Sequence, residues 1–465
     1  LGFVILGWSI MEGLGSALIV PAINTLVRAN YEDSRRATAY GVLFGVAAAG
    51  AAFGPLIGGW ITTAYTWRLA FAVEAVIVLG VLLSSGLLTD APPVEPKPKL
   101  DVVGMVLSAL GLGLLVFGVL ETTDRGWSDP VILLLIGGGV LVLGVFVWWI
   151  TRRERRGEPV LVHPSIFRHR SISTGLPVLS TQTFAQAGLL FLIPVFTQSV
   201  LGFDAFETGL TLLPLSIGVL VTSVATPRLG RIIYPRYIIQ AGLVLLFVGG
   251  YVLATSLDGA TDGSDMALGL LIGGVAIGLI AGQLHNLILS GVEPDEASEA
   301  SGLQGTAQNL GMAMGTAVIG TVILSVALST IARDIGDAPA IPDDLKADIE
   351  LVIDEGLTKP STDQLADDLA AQPAEVQEAA QEVFDDATLR GFQGAILVGG
   401  LVALLGALVA FRLPLRKLAS DPSQPDDEPI SDPVAATVRN TTMPGVHLGM
   451  NDLAAPSGAR PPPSV

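Results

Sequence analysis

Hydrophobic positions in this chain are grouped into long runs, separated by short polar segments. A helix needs about 20 apolar residues to cross the hydrocarbon core of a bilayer, and runs of that length recur along the sequence. The pattern therefore predicts an all-α polytopic membrane protein. We predict eleven transmembrane helices, at residues 1–27, 38–64, 69–88, 102–121, 130–151, 174–201, 206–227, 236–256, 266–292, 300–329 and 391–413.

Composition supports the same class and excludes several kinds of chemistry. Of 465 residues, 51% are hydrophobic and only 15% are charged, too few to cover the surface of a soluble protein of this size. The absence of cysteine excludes disulfides, thiol catalysis and cysteine metal sites. The histidines do not fall at the spacing of a zinc-binding helix, and no phosphate-binding GxxxxGK[ST] motif is present. We therefore predict no cofactor, no metal site and no catalytic residue.

The net charge of -18 is concentrated in two segments outside the predicted helices. Residues 331–390 contain 16 acidic and 4 basic residues, and the tail after residue 420 is also acidic. In the first segment, Leu345, Ile349, Val352 and Ile353 fall at helical spacing. We expect either two short amphipathic helices, the second at 374–384, or a flexible solvated loop. The tail is rich in Pro, Asp, Ser and Gly, which favours disorder.

Basic residues alternate between the loops in a way that predicts orientation, because Lys and Arg collect on the cytoplasmic side. Loops on one side carry Arg28, Arg35, Arg36, Arg152, Arg153, Arg155, Arg156, Arg168, Arg170, Arg228, Arg231, Arg236, Arg412, Arg416 and Lys417. One loop on that side, Gly291–Ser301, is acidic instead. The distribution predicts a multi-pass plasma-membrane protein with a cytoplasmic C-terminus.

A glycine-rich helix stands out within the second predicted span. Residues 45–59 read GVAAAGAAFGPLIGG, and small residues at a four-residue spacing let membrane helices approach closely. The segment resembles the GPxxGG signature of antiporters in the major facilitator superfamily, matched here by Gly50, Gly54, Pro55, Gly58 and Gly59. The alternative is an ordinary glycine-rich membrane helix.

The order of the predicted segments resembles the fourteen-helix drug:proton antiporter family of that superfamily. An odd number of spans and a chain that begins with Leu lead us to expect three further helices upstream, so that eleven of fourteen are visible. The resemblance implies two six-helix halves with the substrate between them. The predicted domains are residues 1–88, the last three helices of the N-terminal half; 89–170, a cytoplasmic linker, a two-helix insertion and a basic cytoplasmic loop; 171–415, the C-terminal half including the extracytoplasmic loop 331–390; and 416–465, a disordered cytoplasmic tail.

Two carboxylates, Glu12 and Glu74, lie inside predicted spans, where an ionisable group is costly and faces a cavity or a partner. The segment around Glu12 resembles the family's fourth-helix motif, with Gly13 and Gly15 matching its helix-packing glycines. Glu12 replaces the family's Gln, and Ser9 stands where the family has the Arg implicated in proton coupling. The segment around Glu74 resembles the family's WRxxF-x-x-N pattern, with Trp67, Arg68 and Phe71 matching and Glu74 in place of the Asn.

These departures leave two interpretations open for each carboxylate. Glu12 takes part in proton transfer or cation binding, or it is a neutral or paired carboxyl. Glu74 takes part in coupling or substrate binding, or it makes an interhelical hydrogen bond near the outer boundary. A buried Glu has a raised pKa and can load and release a proton at accessible pH.

Uncharged polar residues mark two other predicted helices as cavity-lining. Gln182 and Gln186 are one turn apart on one face, and Gln283 and His285 lie together in the span at 266–292. A lone membrane histidine is also compatible with a structural hydrogen-bonding role. In the span at 300–329 the family's usual Arg is replaced by Gln308. The GxxxG spacing of Gly311 and Gly315 in that span predicts close helix packing.

Taken together, these features favour a secondary active exporter that acts as a monomer in the bilayer and exchanges protons for amphipathic, cationic organic compounds. Its partners would be a small-molecule substrate and protons, with no nucleic acid. One alternative is a major facilitator transporter of another solute, such as a metabolite, siderophore or osmolyte, because a fold does not determine its substrate. Another is a non-transporting receptor that works through the acidic loop. An enzyme is disfavoured, since no nucleophile–base–orienter set is visible.

Overall fold

The apolar runs form helices in a computed structural model of the chain. It describes residues 5–31, 46, 50, 53–89, 100–122, 126–230, 232–292, 296–339, 341–354, 369 and 372–415. Within these ranges every regular element is helical. The predicted disordered tail and nearly all of the predicted linker at 89–100 lie outside the described residues.

Twelve labelled helices are used below. A π-helical stretch, Ile5–Glu12, leads into the first of them, and residues 53–64 form a further helical segment between the first two. The helices are α1 (Gly13–Asn30), α2 (Trp67–Ser84), α3 (Val102–Leu120), α4 (Pro130–Glu154), α5 (Arg170–Ser199), α6 (Ala205–Thr211), α7 (Leu213–Leu229), α8 (Pro235–Ser256), α9 (Ala267–Leu289), α10 (Ala297–Asp337), α11 (Asp343–Asp354) and α12 (Ala374–Val409).

Eight helices in the described ranges are long and apolar enough to cross a membrane, or nine if α6 and α7 are counted as one bent span. These two helices meet at 43° next to Pro214, which lacks the N–H that would continue the helical hydrogen bonds. Of the predicted span 1–27, a shorter apolar helix, Ile10–Ile19, is present, and much of 38–64 lies outside the described residues. The count of eleven helices out of fourteen, and the domain division built on it, stay predictions.

The principal hydrophobic core is formed by residues between 166 and 413. Its central side chains, fully or almost fully buried, include Ile193 on α5, Leu243 on α8, Ile280 on α9 and Phe392 on α12. In contrast, no residue of α2 is buried. The second half of the chain therefore holds most of the packed interior among the described residues.

The acidic segment at 331–390 contains a second, smaller core. Ile335 at the end of α10, Leu345 and Ile349 on α11, and Val376 and Ala380 on α12 are buried together. With 41 residues, α10 is about 60 Å long, twice the hydrocarbon thickness of roughly 30 Å, so part of it projects beyond the bilayer.

The structure changes our interpretation of this segment. The predicted helix around Leu345 is present as α11. The predicted short helix at 374–384 is instead the first part of α12, because nothing between Phe384 and Gly391 breaks the helix. A flexible loop does not describe residues 341–354 or 372–390, whereas residues 355–368 lie outside the described part.

Helices α3 and α4 are held together by Asp101 at the start of α3. Its carboxylate accepts hydrogen bonds from the backbone N–H of Gly104 (3.0 Å) and from the indole of Trp149 on α4 (3.1 Å). Burial by itself would raise the pKa of Asp101, but these hydrogen bonds and the positive charge of Arg153 lower it below the ordinary value. Asp101 is therefore ionised at neutral pH and caps α3.

Candidate functional site

Both carboxylates predicted to take part in proton coupling, Glu12 and Glu74, lie on helices in the first half of the chain. Glu12 ends the π-helical stretch before α1, and Glu74 lies in the middle of α2. Both side chains are exposed. Gly13 and Gly15 have no atom within 4 Å of the position that a Cβ would occupy, so no close contact forms there among the described residues. The structure does not bring these residues to the polar side chains of the second half.

The predicted glutamine pair on α5 makes a direct contact. Gln182 is 2% exposed, and its amide donates to the side-chain oxygen of Gln186 at 2.6 Å. One turn before Gln186, the Thr183 hydroxyl donates back to the carbonyl of Leu179. The pair is therefore ordered inside the bundle, with both side chains on one face of α5.

Gln283 on α9 is completely buried and connects two helices. Its amide donates to the carbonyl oxygen of Thr226 on α7 at 2.7 Å. A Cβ at Gly230 would lie 2.6 Å from this amide nitrogen, so glycine makes room for the glutamine. The other amide atom, Oε1, is buried without a hydrogen-bond partner. This geometry joins α9 to α7, and an acceptor remains available for a donor.

His285 lies where α9 meets α10. Its Nδ1 is 3.4 Å from the carbonyl oxygen of Ala281, and the side chain of Gln308 lies close to its ring. The amide of Gln304 donates to the backbone carbonyl of His285 at 3.0 Å. Sequence reasoning missed Gln304. The signal was its spacing of one turn from Gln308, which places both amides on the same side of α10.

The GxxxG residues of α10 lie against α5. A Cβ at Gly311 would be 2.5 Å from the carbonyl oxygen of Ser180, and one at Gly315 would be 2.9 Å from the Cα of Phe184. Next to these glycines, the Ser180 hydroxyl donates to the carbonyl of Ala307 at 2.9 Å. The polar side chains of α5 and α10 are thus held on closely packed backbones.

The signature segment contacts α6. A Cβ at Gly59 would be 2.9 Å from the carbonyl carbon of Ala205, and one at Gly209 would be 2.7 Å from the carbonyl oxygen of Pro55. The backbone N–H of Phe206 also donates to the hydroxyl of Thr63 at 3.1 Å. The corresponding positions at Gly50, Gly54 and Gly58 have no atom within 4 Å.

Two glutamates of the acidic loop Gly291–Ser301, which interrupts the alternation of basic loops, are paired with histidines. His163 Nδ1 lies 2.6 Å from one carboxylate oxygen of Glu299, and its backbone N–H donates to the other at 3.0 Å. His169 Nε2 lies 3.1 Å from the carboxylate of Glu296. The basic segment before α5 and the start of α10 are therefore joined by two histidine–carboxylate contacts, which the sequence pattern did not predict.

Comparison with known proteins decides the family. A family model described as the Major Facilitator Superfamily matches residues 1–316. The chain belongs to this superfamily. As a major facilitator protein it is a multi-pass membrane transporter for small molecules, and it is not an enzyme.

Three relatives of this major facilitator protein have names that refer to antibiotics. The probable actinorhodin transporter of Streptomyces coelicolor is 28% identical over 431 residues, which cover 86% of this chain and 74% of the relative. The tetracenomycin C resistance and export protein of Streptomyces glaucescens is 27% identical, with coverage of 90% and 76%. The cephamycin export protein CmcT of Amycolatopsis lactamdurans is 31% identical, with coverage of 70% and 68%.

Proposed function

We propose that this protein is a secondary active exporter of amphipathic, cationic organic compounds, exchanged for protons by alternating access. The observation that carries the proposal is the contact between the antiporter-like segment and α6, where Gly59 lies against Ala205 and Gly209 against Pro55. In the predicted domain division this contact joins the two halves. Small residues let two helix backbones approach closely, and alternating access in such transporters is largely rigid-body rocking of one half against the other. The names of the three relatives support export of antibiotic-like compounds.

Proton coupling is assigned to the two carboxylates of the first half. Protonation of Glu12 or Glu74 removes a negative charge that attracts a cationic substrate, and the substrate leaves on the outer side. Loss of the proton toward the cytoplasm restores the charge and reloads the site. An exposed position agrees with this role as long as the helix faces a water-filled cavity in one state of the cycle.

The polar groups of the second half supply an uncharged recognition surface in this proposal. Gln182 and Gln186 on α5 and His285 with Gln308 on the α9–α10 side offer amide and imidazole hydrogen bonds. Gln283 offers its unpaired Oε1 as an acceptor. Amide groups bind neutral polar parts of a substrate without a charge to desolvate, which suits compounds that differ in structure.

The test is proton-driven efflux of a fluorescent organic cation from proteoliposomes that contain the protein. An imposed pH gradient should drive efflux by the wild type, and Glu12→Gln or Glu74→Gln should abolish the gradient-driven part. Asp258→Asn is the matched control, since Asp258 is an exposed carboxylate outside the transmembrane helices. Normal exchange by both glutamine variants would remove the carboxylates from the mechanism. A wild type that moves no cation under a gradient would contradict the exporter proposal itself.

A further inference from the structure

A groove of about 360 Å³ lies on the outside of the bundle between α8 and α12, away from the polar residues described above. One wall of the groove is formed by Gln240, Val244 and Val248, and the other by Phe411. Between these walls, the small side chains of Ala241 and Ala407 leave the space open. Val244, Val248 and Phe411 are 45%, 40% and 58% exposed. The groove is therefore open to the surrounding bilayer along its length.

Three residues of α8 that line the groove, Gln240, Val244 and Val248, continue a stripe that begins at Arg236 beyond its end and changes from polar to apolar. Arg236, Gln240, Val244 and Val248 follow at intervals of four residues, so they lie on one face. From Arg236 to Val248 the helix rises about 18 Å. One leaflet of the hydrocarbon core is about 15 Å thick, so the stripe has the depth of a single leaflet.

Two hydrogen-bond donors at the polar end of this stripe lack acceptors. Arg236 Nε and Gln240 Nε2 are both buried without a partner among the described residues. The Arg236 guanidinium lies 5.6 Å from the ring of Phe411 and 5.9 Å from that of Tyr237, which holds the positive charge beside the groove. An unpaired buried donor is unfavourable, so these groups favour a ligand that brings an acceptor.

The position in the membrane indicates where such an acceptor comes from. Arg236 lies in the first turn of α8 and Arg412 follows α12, and the Lys and Arg distribution assigns both ends to the cytoplasmic face. Anionic lipid headgroups are enriched on that face and bind basic pockets between transmembrane helices. None of the residues that line the groove is acidic, so no group is placed to receive the cationic part of a zwitterionic headgroup.

We propose that this groove is a selective site for one anionic phospholipid of the cytoplasmic leaflet. On binding, the side chains of Arg236 and Gln240 turn toward the groove and donate hydrogen bonds to the phosphate, and an acyl chain lies along Val244 and Val248 over the two alanines. A transmembrane helix of a second copy would fill the apolar part but would bring no acceptor to the two donors. The proposal does not depend on the exported substrate or on proton coupling.

The experiment is native mass spectrometry of the full chain in detergent, titrated with phosphatidylglycerol or with phosphatidylcholine of the same acyl chains. The phosphates of both lipids can accept the hydrogen bonds, but only phosphatidylglycerol brings a net negative charge to the Arg236 guanidinium. We therefore expect one phosphatidylglycerol to be retained about fivefold more tightly than phosphatidylcholine. Arg236→Gln combined with Gln240→Leu should remove this preference. Ala241→Trp should remove binding of the retained lipid while leaving both donors in place, and because Ala241 is exposed this change keeps the bundle intact.

Arg228→Gln is the matched control, because Arg228 is an exposed arginine at the end of α7 on the same predicted face and does not line the groove. It should retain the wild-type preference. Equal retention of both lipids by the wild type, or an unchanged preference in the Ala241→Trp variant, would overturn the proposal. A dimer that is lost in Ala241→Trp would also overturn it, since a second copy would then occupy the groove.

Discussion

A close contact between α5 and α10 can be tested by adding a single methyl group to Gly311. In the structure a Cβ at this position would lie 2.5 Å from the carbonyl oxygen of Ser180 and 3.0 Å from its Cα. Real Cβ contacts below 3.0 Å are essentially never seen, so α10 or α5 must move by about 0.5 Å to reach even that limit. The nearest atom is the hydroxyl oxygen of Thr183, which belongs to a side chain and can turn aside, but the two Ser180 atoms belong to the backbone, which cannot.

Two energies of opposite sign decide the outcome for Gly311→Ala. Alanine gains up to about 1 kcal/mol over glycine in a helix interior. Overpacking in a closely fitted interior costs about 1–3 kcal/mol. The shift would also lengthen the adjacent hydrogen bond from Ser180 to Ala307, now 2.9 Å. We therefore expect a net loss of stability of about 1 kcal/mol, with the overpacking energy prevailing.

Gly302 on the same helix provides the control, because the space around it is open within 4 Å. Gly302→Ala gains the same helix propensity without the steric clash. The free energy of unfolding of this variant should therefore exceed that of Gly311→Ala by about 1–3 kcal/mol. The measurement is thermal unfolding of both purified variants in the same detergent, together with wild type. Equal melting temperatures for the two variants would refute the close α5–α10 contact.

Other contacts lead to further predictions. Gly59→Ala should impair efflux because its Cβ would meet backbone of α6, whereas Gly58→Ala should be tolerated in cell-based drug-resistance assays. Asp101→Ala should cost about 1 kcal/mol as a lost helix cap, measured by thermal unfolding. Because the pKa of Asp101 is lowered in the folded protein, its stabilising contribution is fully present above the ordinary pKa of 3.8 and disappears as the pH falls through the lowered pKa. The loss of stability caused by Asp101→Ala should therefore be equal at pH 5 and pH 8. Glu299→Ala should speed hydrogen exchange of the His163 backbone amide, which donates to that carboxylate at 3.0 Å, and unchanged exchange would contradict the pairing.

Much about this protein was determined by the sequence alone. The long apolar runs specified a helical membrane protein, since a bilayer imposes its thickness on any helix that crosses it. The GPxxGG pattern with Gly54 and Pro55 indicated the superfamily, which the match over residues 1–316 confirms. The four-residue spacing of Gln182 and Gln186 specified their shared face, because helical periodicity is a local property.

Only the tertiary structure decided which groups meet. Hydropathy does not indicate the rotation of a helix that is apolar on every side. It therefore did not reveal that the Gln283 side chain hydrogen-bonds to the backbone of Thr226, or that Gly59 rather than Gly54 contacts α6. The pairing of His163 with Glu299 joins residues 136 positions apart, and no local pattern carries such information. The small core around Leu345 likewise depends on α10 and α12 continuing past the expected ends of their spans. The thickness of a bilayer determines how long an apolar helix must be, and this length can be read from the sequence. Contacts between helices depend on the shapes of the facing backbones, which only the tertiary structure shows.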